Sequence, residues 1–574
     1  MTSASSLNLD ARGQPLTYRS AKAGKNTLHW QRAEGEELQR LLDTCTIKAI
    51  HAHEQPTHRR GEGTYYNPQV KEKLASDGST TYRVRGTIGG DRIRYPGPTT
   101  ARTAAMPLVK LLLQSVVSDN KRFLTLDIKD FYLNTPLDRP EYLRIQSKFL
   151  PQHILDTNNI QSYIHNGSVL FEVNKGMYGL PQAGLLAQTR LIAHLALHGY
   201  NQTATTCLFR HVSNGTDFSL VVDDFGVKYS TRAGAQHLID TLQQLYVITI
   251  DWTGTKYLGF TIAFNHQLHY VDISMPGYIT KVLQRFVPDT TTGAASPAVY
   301  TPPVYGNPDL RPALDNSPPL SPPLILQLQE IIGSLLYYAR GIDISMLTAV
   351  NHLASLQANP THATMQAAHR LLAYCARYPN NALRFRACDM ILHIQSDASH
   401  LSRPGARSVA GGIFYLGNHD APTQINGAIL AISTIIPAVV ASVAEAEYAA
   451  LFLNGQEGVA LRDMLHALGY SQPPTTILCD NKCAYGIATD TIKPKRTKSI
   501  DMKFHWTRDR IRLGQFHVVW RKGQHNLADF FTKSLPVHQH KKTSSLLVQV
   551  PPVTFAPTQT KHSNRSTSLI ERVC

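Results

Sequence analysis

Two sets of acidic residues in this 574-residue chain could do chemistry if folding brings each set together. The first is Asp127, at the end of the strand-like run RFLTLD, with the adjacent pair Asp223 and Asp224 in SLVVDDFGVKY. The second is Asp397 in IQSDAS, Glu445 and Glu447 in VAEAEYAAL, Asp480 in LCDN and Asp529 in NLADFFTK. Crowded carboxylates can hold divalent ions, and two such ions roughly 3.5–4 Å apart stabilise both the attacking and the leaving oxygen in phosphoryl transfer. Mg²⁺ is a hard cation that needs few protein carboxylates beside substrate phosphate oxygens. Each residue also has a plain structural role open to it, because Asp is common in hairpin turns and at helix N-caps and Glu suits a first helical turn.

The first set needs an apolar hairpin with Asp223 and Asp224 at its tip and a neighbouring strand that ends in Asp127. From about residue 38 to 286, short β-rich runs alternate with helical ones such as AGLLAQTRLIAHLALHGY, whose Leu185, Leu186, Ile192 and Leu195 recur at helical spacing. The stretch 325–390 reads as helices only, and 391–540 as strands (LHIQSDAS, VAGGIFYLG, TTILCD, FHVVW) around one long helical pattern. Ten of the 33 prolines lie between Pro288 and Leu324, so 288–324 reads as a linker without helix or sheet pairing. Residues 1–34 and 541–574 read as flexible ends.

Lys and Arg outnumber Asp and Glu by 57 to 41, which points to an acidic polymer as partner. The segment Lys493–Lys522 holds ten Lys or Arg against two Asp with aromatics interleaved, so the charge gathers on one candidate nucleic-acid face. The seven cysteines include no CxxC pair, which excludes a Cys-rich zinc site and a disulfide framework and fits a reducing compartment. No apolar run reaches the roughly 18 residues of a membrane helix, and the N-terminus has no secretory pattern.

Taken in order, LDIKDFYLNTPLDRPEYLRI, GMYGLPQAG, VVDDFG, YLGFTI and IIGSLLYYARGIDISML resemble the motifs of the polymerase polyprotein of copia-type long-terminal-repeat retrotransposons, over roughly residues 35–540. The resemblance implies a mixed α/β multidomain chain: reverse transcriptase fingers and palm over 35–287, a helical thumb or connection over 325–390 and an RNase H-like α/β domain over 391–540. It implies RNA-directed DNA synthesis and RNA hydrolysis with Mg²⁺, or Mn²⁺, as cofactor. The implied partners are RNA template, DNA primer, RNA–DNA hybrid and deoxynucleoside triphosphates, in an intracellular, cytoplasmic virus-like particle.

The same resemblance makes Asp127, Asp223 and Asp224 the polymerase triad and Asp397, Glu447, Asp480 and Asp529 the hydrolase set. Glu447 is preferred to Glu445 because EYAAL matches the RNase H helix pattern and residues two apart on a helix point about 200° from each other. Tyr132 matches the aromatic gate against a ribose 2′-hydroxyl, with a core aromatic as the alternative, and Gln182 matches the nucleotide-binding glutamine. Either Arg83 or Arg85 is the triphosphate arginine. Lys495, Arg496 and Lys498 suit phosphate contact. Two departures stand out: Val221 replaces the family's Tyr before the Asp pair, and WRKGQHNLADFF is too short for the His-bearing loop of many RNase H enzymes, leaving His525 as a weak substitute. All seven acidic positions are occupied, which favours catalysis over a decayed copy that only binds. No protease or integrase pattern precedes the polymerase motifs, as in a processed product or a truncated gene model.

Overall fold

The computed structural model describes residues 16–74, 79–287, 293–302, 315–419, 425–492 and 501–549. Its amino-terminal part is more ordered than the sequence suggested. Helix α1 (Thr27–Asp43) begins inside the stretch expected to be loose and buries Trp30, Ala33, Leu38 and Leu41, after a short helix Tyr18–Ala23 capped by Thr17. Trp30, Ala33, Leu38 and Leu41 fall at spacings that share one helical face, but Glu34 and Glu37 sit among them and hid the stripe. Trp30 and Ala33 pack on the hairpin of β1 (Gln69–Leu74) and β2 (Thr80–Arg85), where Val70 and Val84 join them in a small core, while Leu38 and Leu41 join the core of the four-stranded sheet described below.

Helix α2 (Met106–Ser118), apolar nearly all round, is buried from Leu108 to Val117. It backs a six-stranded antiparallel sheet built on β3 (Arg122–Ile128), β4 (Thr216–Val221) and β5 (Asp224–Tyr229), in the order Ile248–Asp251, β3, β5, β4, Leu208–His211, Tyr200–Gln202. Leu124, Leu126, Leu220, Phe225 and Val227 are essentially inaccessible, and each such side chain is worth roughly 1.5–3 kcal/mol of burial. A four-stranded sheet, Ile47–Ile50, Ser168–Lys175, Pro136–Gln146 and Thr64–Tyr65, has its own core around Leu143, Ile145, Phe171 and Val173.

The middle block is helical over Pro322–Gly341, Leu347–Ser355 and His362–Arg377. Two expectations are corrected here. A helix starts at Pro322, inside the proline-rich linker, because proline at the first helical position loses no hydrogen bond. The strand Ala382–Arg386 falls in the stretch read as helices only; it pairs with Tyr270–Ser274, burying Leu383 and Phe385 while Arg384 reaches Asp272. Linker residues 288–292 and 303–314 lie outside the described residues.

The last block is a five-stranded sheet in the order Ala428–Ile435, β7 (Arg407–Gly417), β6 (Ile391–Arg403), β8 (Thr475–Cys479), β9 (Phe516–Trp520). The first three are antiparallel and the last three parallel. Helix α3 (Val443–Ala467) crosses one face, where Gly458 lets Ile394 and Phe516 approach within 2.7 and 3.1 Å of the place a Cβ would fill. Helix α4 (Val537–Leu547) runs past residue 540, so an ordered element extends into the expected tail, whose residues 550–574 lie outside the described residues. Among the described residues no helix is long and apolar enough to cross a membrane.

Candidate functional site

Asp223 and Asp224 sit where β4 turns into β5. Val221 pairs with Asp224, leaving Val222 and Asp223 as the two turn residues, and Val222 adopts a left-handed backbone with φ 61°. Such hairpins need positive φ at the first central position and recruit Gly, Asn or Asp there. A β-branched residue held there is strained by of order 1–3 kcal/mol. Val222→Gly is therefore expected to raise unfolding stability by roughly 1 kcal/mol, net of glycine's extra chain entropy, as a higher denaturant midpoint at constant slope.

The register sets Asp224 directly opposite Asp127 of β3, and the Asp223 carbonyl accepts from the Ile128 N–H at 3.1 Å. Like charges directly opposed across antiparallel strands repel. Burial first, then Asp223 and Asp127, push the Asp224 carboxyl up to about 7. Asp223 is pushed up by burial and by Asp127, against the pull of Arg85. Among the described residues, the oxygens of these three do not close to the mutual 4.8 Å reached by the second cluster below.

Of the two arginines left open by the sequence, Arg85 is the one brought to the carboxylates. Its guanidinium lies 4.0 Å over the Tyr178 ring, whereas Arg83 is exposed and lines a 220 Å³ cavity with Tyr82, Lys129 and Asp130. Tyr132 is half-buried edge-to-face against Tyr178 at 5.1 Å, and burial and the charge of Asp223 push its hydroxyl up to about 12. Gln182 is fully enclosed and its Nε2 donates to Glu141 Oε1 at 3.0 Å, while Arg59 and Arg139 hold the same carboxylate. The buried Glu141 charge needs its lone pairs saturated, and the Gln182 amide supplies one donor. Lys495, Arg496 and Lys498 lie outside the described residues.

The second set converges where β6, β8 and the start of α3 meet. Asp397, Glu447 and Asp480 each offer a carboxylate oxygen, and these oxygens all lie within 4.8 Å of one another. Ser442 caps α3 by accepting from the Glu445 N–H at 3.2 Å, and Glu445 turns back to accept from the Ala441 N–H at 2.7 Å. Glu447, one face round and 4% exposed, points to the aspartates. Its Oε2 is buried without a hydrogen-bond partner among the described residues. Gly523 leaves room for Asp480, whose Oδ2 lies 2.7 Å from where a Cβ would be. Asp529, on the 3₁₀ turn Leu527–Phe531, borders the cluster and pairs with Lys533. His525 stays exposed beside Gln524 and lines a cavity with His393, Gln395 and Leu527.

Sequence reasoning missed two residues here. Thr532 donates from Oγ1 to Asp397 Oδ2 at 2.5 Å, and Lys533 is the cation of the cluster; both lie one helical turn past Asp529, a spacing the sequence displays. Burial, with the neighbouring carboxylates adding, pushes Asp397 and Glu447 well above the usual carboxylate range. A carboxyl raised in the folded state contributes stability that is present at low pH and lost as pH rises through its folded value. Metal-free protein is thus expected to melt lower as pH climbs from about 4 through 7, the window spanned by Asp224 and Asp397, with buried Glu447 continuing the loss above it. Millimolar Mg²⁺ should flatten the decline; melting curves across pH with chelator or Mg²⁺ measure both.

These oxygen-only clusters, with a buried unpartnered Glu447 oxygen, suit a hard divalent cation such as Mg²⁺ or Mn²⁺. No family model matches the chain. It is similar to the retrovirus-related Pol polyprotein from transposon RE1 of Arabidopsis thaliana, 26% identical over 555 residues, covering 92% of this chain and 34% of the relative. It is also similar to that from transposon TNT 1-94 of Nicotiana tabacum, 22% identical over 454 residues, covering 77% and 32%. Against the transposon Ty1-GR1 Gag-Pol polyprotein of Saccharomyces cerevisiae it is 23% identical over 449 residues, covering 74% and 24%. The resemblance to copia-type retrotransposon polyproteins read from the motifs is borne out, and the chain spans between about a quarter and about a third of the length of these curated relatives. Among solved structures it overlaps the foamy viral protease-reverse transcriptase dRH in complex with double-stranded DNA, with a TM-score of 0.47 and 10% identity, covering 87% and 70%. The same viral protein in complex with RNA/DNA hybrid gives 0.47 and 11%, covering 91% and 56%.

Proposed function

We propose that this chain, similar to retrotransposon Pol polyproteins along most of its length, is an RNA-directed DNA polymerase joined to a ribonuclease H. One observation carries the reading: a single chain assembles two separate groups of carboxylates, and burial first, then neighbouring acids, raise Asp223 and Asp224 in one and Asp397 and Glu447 in the other. On this reading the six-stranded sheet is the palm, the hairpin β1–β2 belongs to the fingers, and the five-stranded sheet is the hydrolase domain.

In the polymerase half, Asp127, Asp223 and Asp224 would hold Mg²⁺, and Asp397, Glu447, Asp480 and Asp529 would hold it in the hydrolase half. When bound, the cation neutralises charge on the reacting phosphate and lowers the pKa of the attacking hydroxyl or water. The chain's own residues do the rest. Arg85, free of any acidic partner in hydrogen-bond contact among the described residues yet close enough to act on Asp223, binds triphosphate oxygens. Tyr132, fixed by Tyr178, presents its ring to the sugar and excludes a 2′-hydroxyl. Thr532 orients Asp397 through its hydroxyl, and Lys533 steadies Asp529. Gln182 is assigned no nucleotide contact, because its amide serves Glu141.

The test is extension of a DNA primer on an RNA template by purified protein, with Mg²⁺ and with chelator, alongside cleavage of a labelled RNA strand in a hybrid. Cation-dependent extension supports the polymerase reading, and its absence under conditions where the protein binds hybrid leaves a binding protein only. Tyr132→Ala should narrow the preference for deoxynucleotides over ribonucleotides by about tenfold or more, a loss of at least 1.4 kcal/mol of discrimination. An unchanged ratio would make Tyr132 a core aromatic.

A further inference from the structure

Three segments far apart in the sequence meet on helix α1. Arg40 donates from Nε to Glu37 Oε2, one turn away, at 3.0 Å, and its Nη1 is ion-paired with Asp130. Glu37 is 6% exposed, and its other oxygen accepts from the Gly86 N–H at 2.8 Å. Gly86 immediately follows Arg85. Asp130 lies three residues after Asp127 and two before Tyr132, and it holds a left-handed backbone with φ 54°. That conformation turns the chain out of β3 into the 3₁₀ turn of Tyr132, and for a non-glycine residue it persists only where side-chain partners fix it.

We propose that the Glu37–Arg40 pair of α1 is a positioning brace for the nucleotide site, setting the strand end that carries Arg85 against the turn that carries Asp127 and Tyr132. The inference rests on the polymerase reading and adds residues that neither the motifs nor the relatives' names point to. The geometry is specific to a guanidinium. Its fork meets two carboxylates at once, and the carboxylate it shares is the one that fixes the backbone after Arg85; an ammonium has no such fork. The two segments converge on one ring, for Tyr178 lies under Arg85, against Tyr132, and feels the charges of Asp223, Asp130 and Arg40. A misplacement of about 1 Å here would cost catalysis far more than it costs folding.

The experiment is single-nucleotide incorporation on a primed RNA template, measuring KM and kcat for a deoxynucleotide and its ribonucleotide in wild type, Arg40→Gln, Arg40→Lys, Asp130→Asn and the Arg40→Gln/Asp130→Asn double variant. Arg40→Gln and Asp130→Asn should each raise the deoxynucleotide KM by about tenfold, the worth of one charge-assisted hydrogen bond, and erode sugar discrimination by a similar factor. The double variant should be no worse than either single, since both cut one link, and Arg40→Lys should recover only part. A folded Arg40→Gln with wild-type KM and sugar ratio overturns the brace, as does a loss confined to kcat or additive losses in the double variant. If Arg40→Gln does not fold, Asp130→Asn and Arg40→Lys decide the same question by the same two ratios. A wild type that never extends the primer overturns the polymerase reading and the brace with it, whereas extension with unaffected variants overturns the brace alone.

Discussion

Asp224→Asn is expected to lower primer extension by at least roughly 10³-fold, a loss of about 4 kcal/mol of transition-state stabilisation, while hybrid binding changes little. The substitution keeps the volume and removes one negative charge from the face that Asp224 shares with Asp127. Because burial and two like charges already push this carboxyl up to about 7, metal-free Asp224→Asn should be at least as stable as wild type near neutral pH. Loss of activity with unchanged or increased melting temperature is therefore the signature, and it separates a metal-holding role from a structural one. Asp223→Asn should behave alike in activity. Extension near the wild-type rate in either variant would sink the assignment of the triad.

The strands that bear chemistry were readable because each is a short apolar run that ends in a carboxylate. RFLTLD, FSLVVDD, IQSD and ILCD became β3, β4, β6 and β8, with Asp127 near the end of β3, Asp223 in the turn after β4 and Asp224 first in β5, Asp397 within β6 and Asp480 just past β8. What the sequence hid depends on contacts between distant segments. Nothing local to Gln182 says that its partner is Glu141, 41 positions away, so a motif match placed it at the nucleotide and the fold places it in a buried charge network. Helix α1 was obscured because its buried face carries Glu34 and Glu37, acids that only a tertiary partner makes tolerable. Strand Ala382–Arg386 alternates Leu383 and Phe385 with arginines, a pattern too short to outweigh the helices before it until Asp272 supplies a partner for Arg384. Val222 shows the converse: by composition VVDD reads as a strand tip, and only the backbone reveals that a β-branched residue carries the turn's positive φ.

The second large effect is expected in the half built on the five-stranded sheet, the proposed ribonuclease H. Glu447→Gln should abolish cleavage of the RNA strand in a hybrid, by at least roughly 10³-fold on the scale of a lost principal electrostatic group, and leave DNA synthesis standing. Glu445→Gln should cut nearly as well as wild type, for Glu445 closes the first turn of α3 onto the Ala441 N–H and a glutamine oxygen can do the same. The two residues are two apart on one helix, and only Glu447 has its oxygen within 4.8 Å of those of Asp397 and Asp480. Synthesis should survive because one contact between the halves, at Tyr470, lies well along the sheet from the first group of carboxylates. Tyr470, just past α3, donates to Asp119 at 2.7 Å, and Lys228 of β5 joins them. Lys228 lies four residues along β5 from Asp224, about 13 Å at strand rise. If Glu445→Gln were dead and Glu447→Gln active, the register on α3 would be wrong. If both variants and the wild type left the RNA strand whole while extending the primer, the second cluster would be a scaffold. Because burial, and then the neighbouring aspartates, raise Glu447, such a scaffold should become more stable at neutral pH when that residue is changed to glutamine in metal-free protein. A functional cluster makes the same prediction without metal and the opposite one with it, since Mg²⁺ would stabilise wild type and not Glu447→Gln.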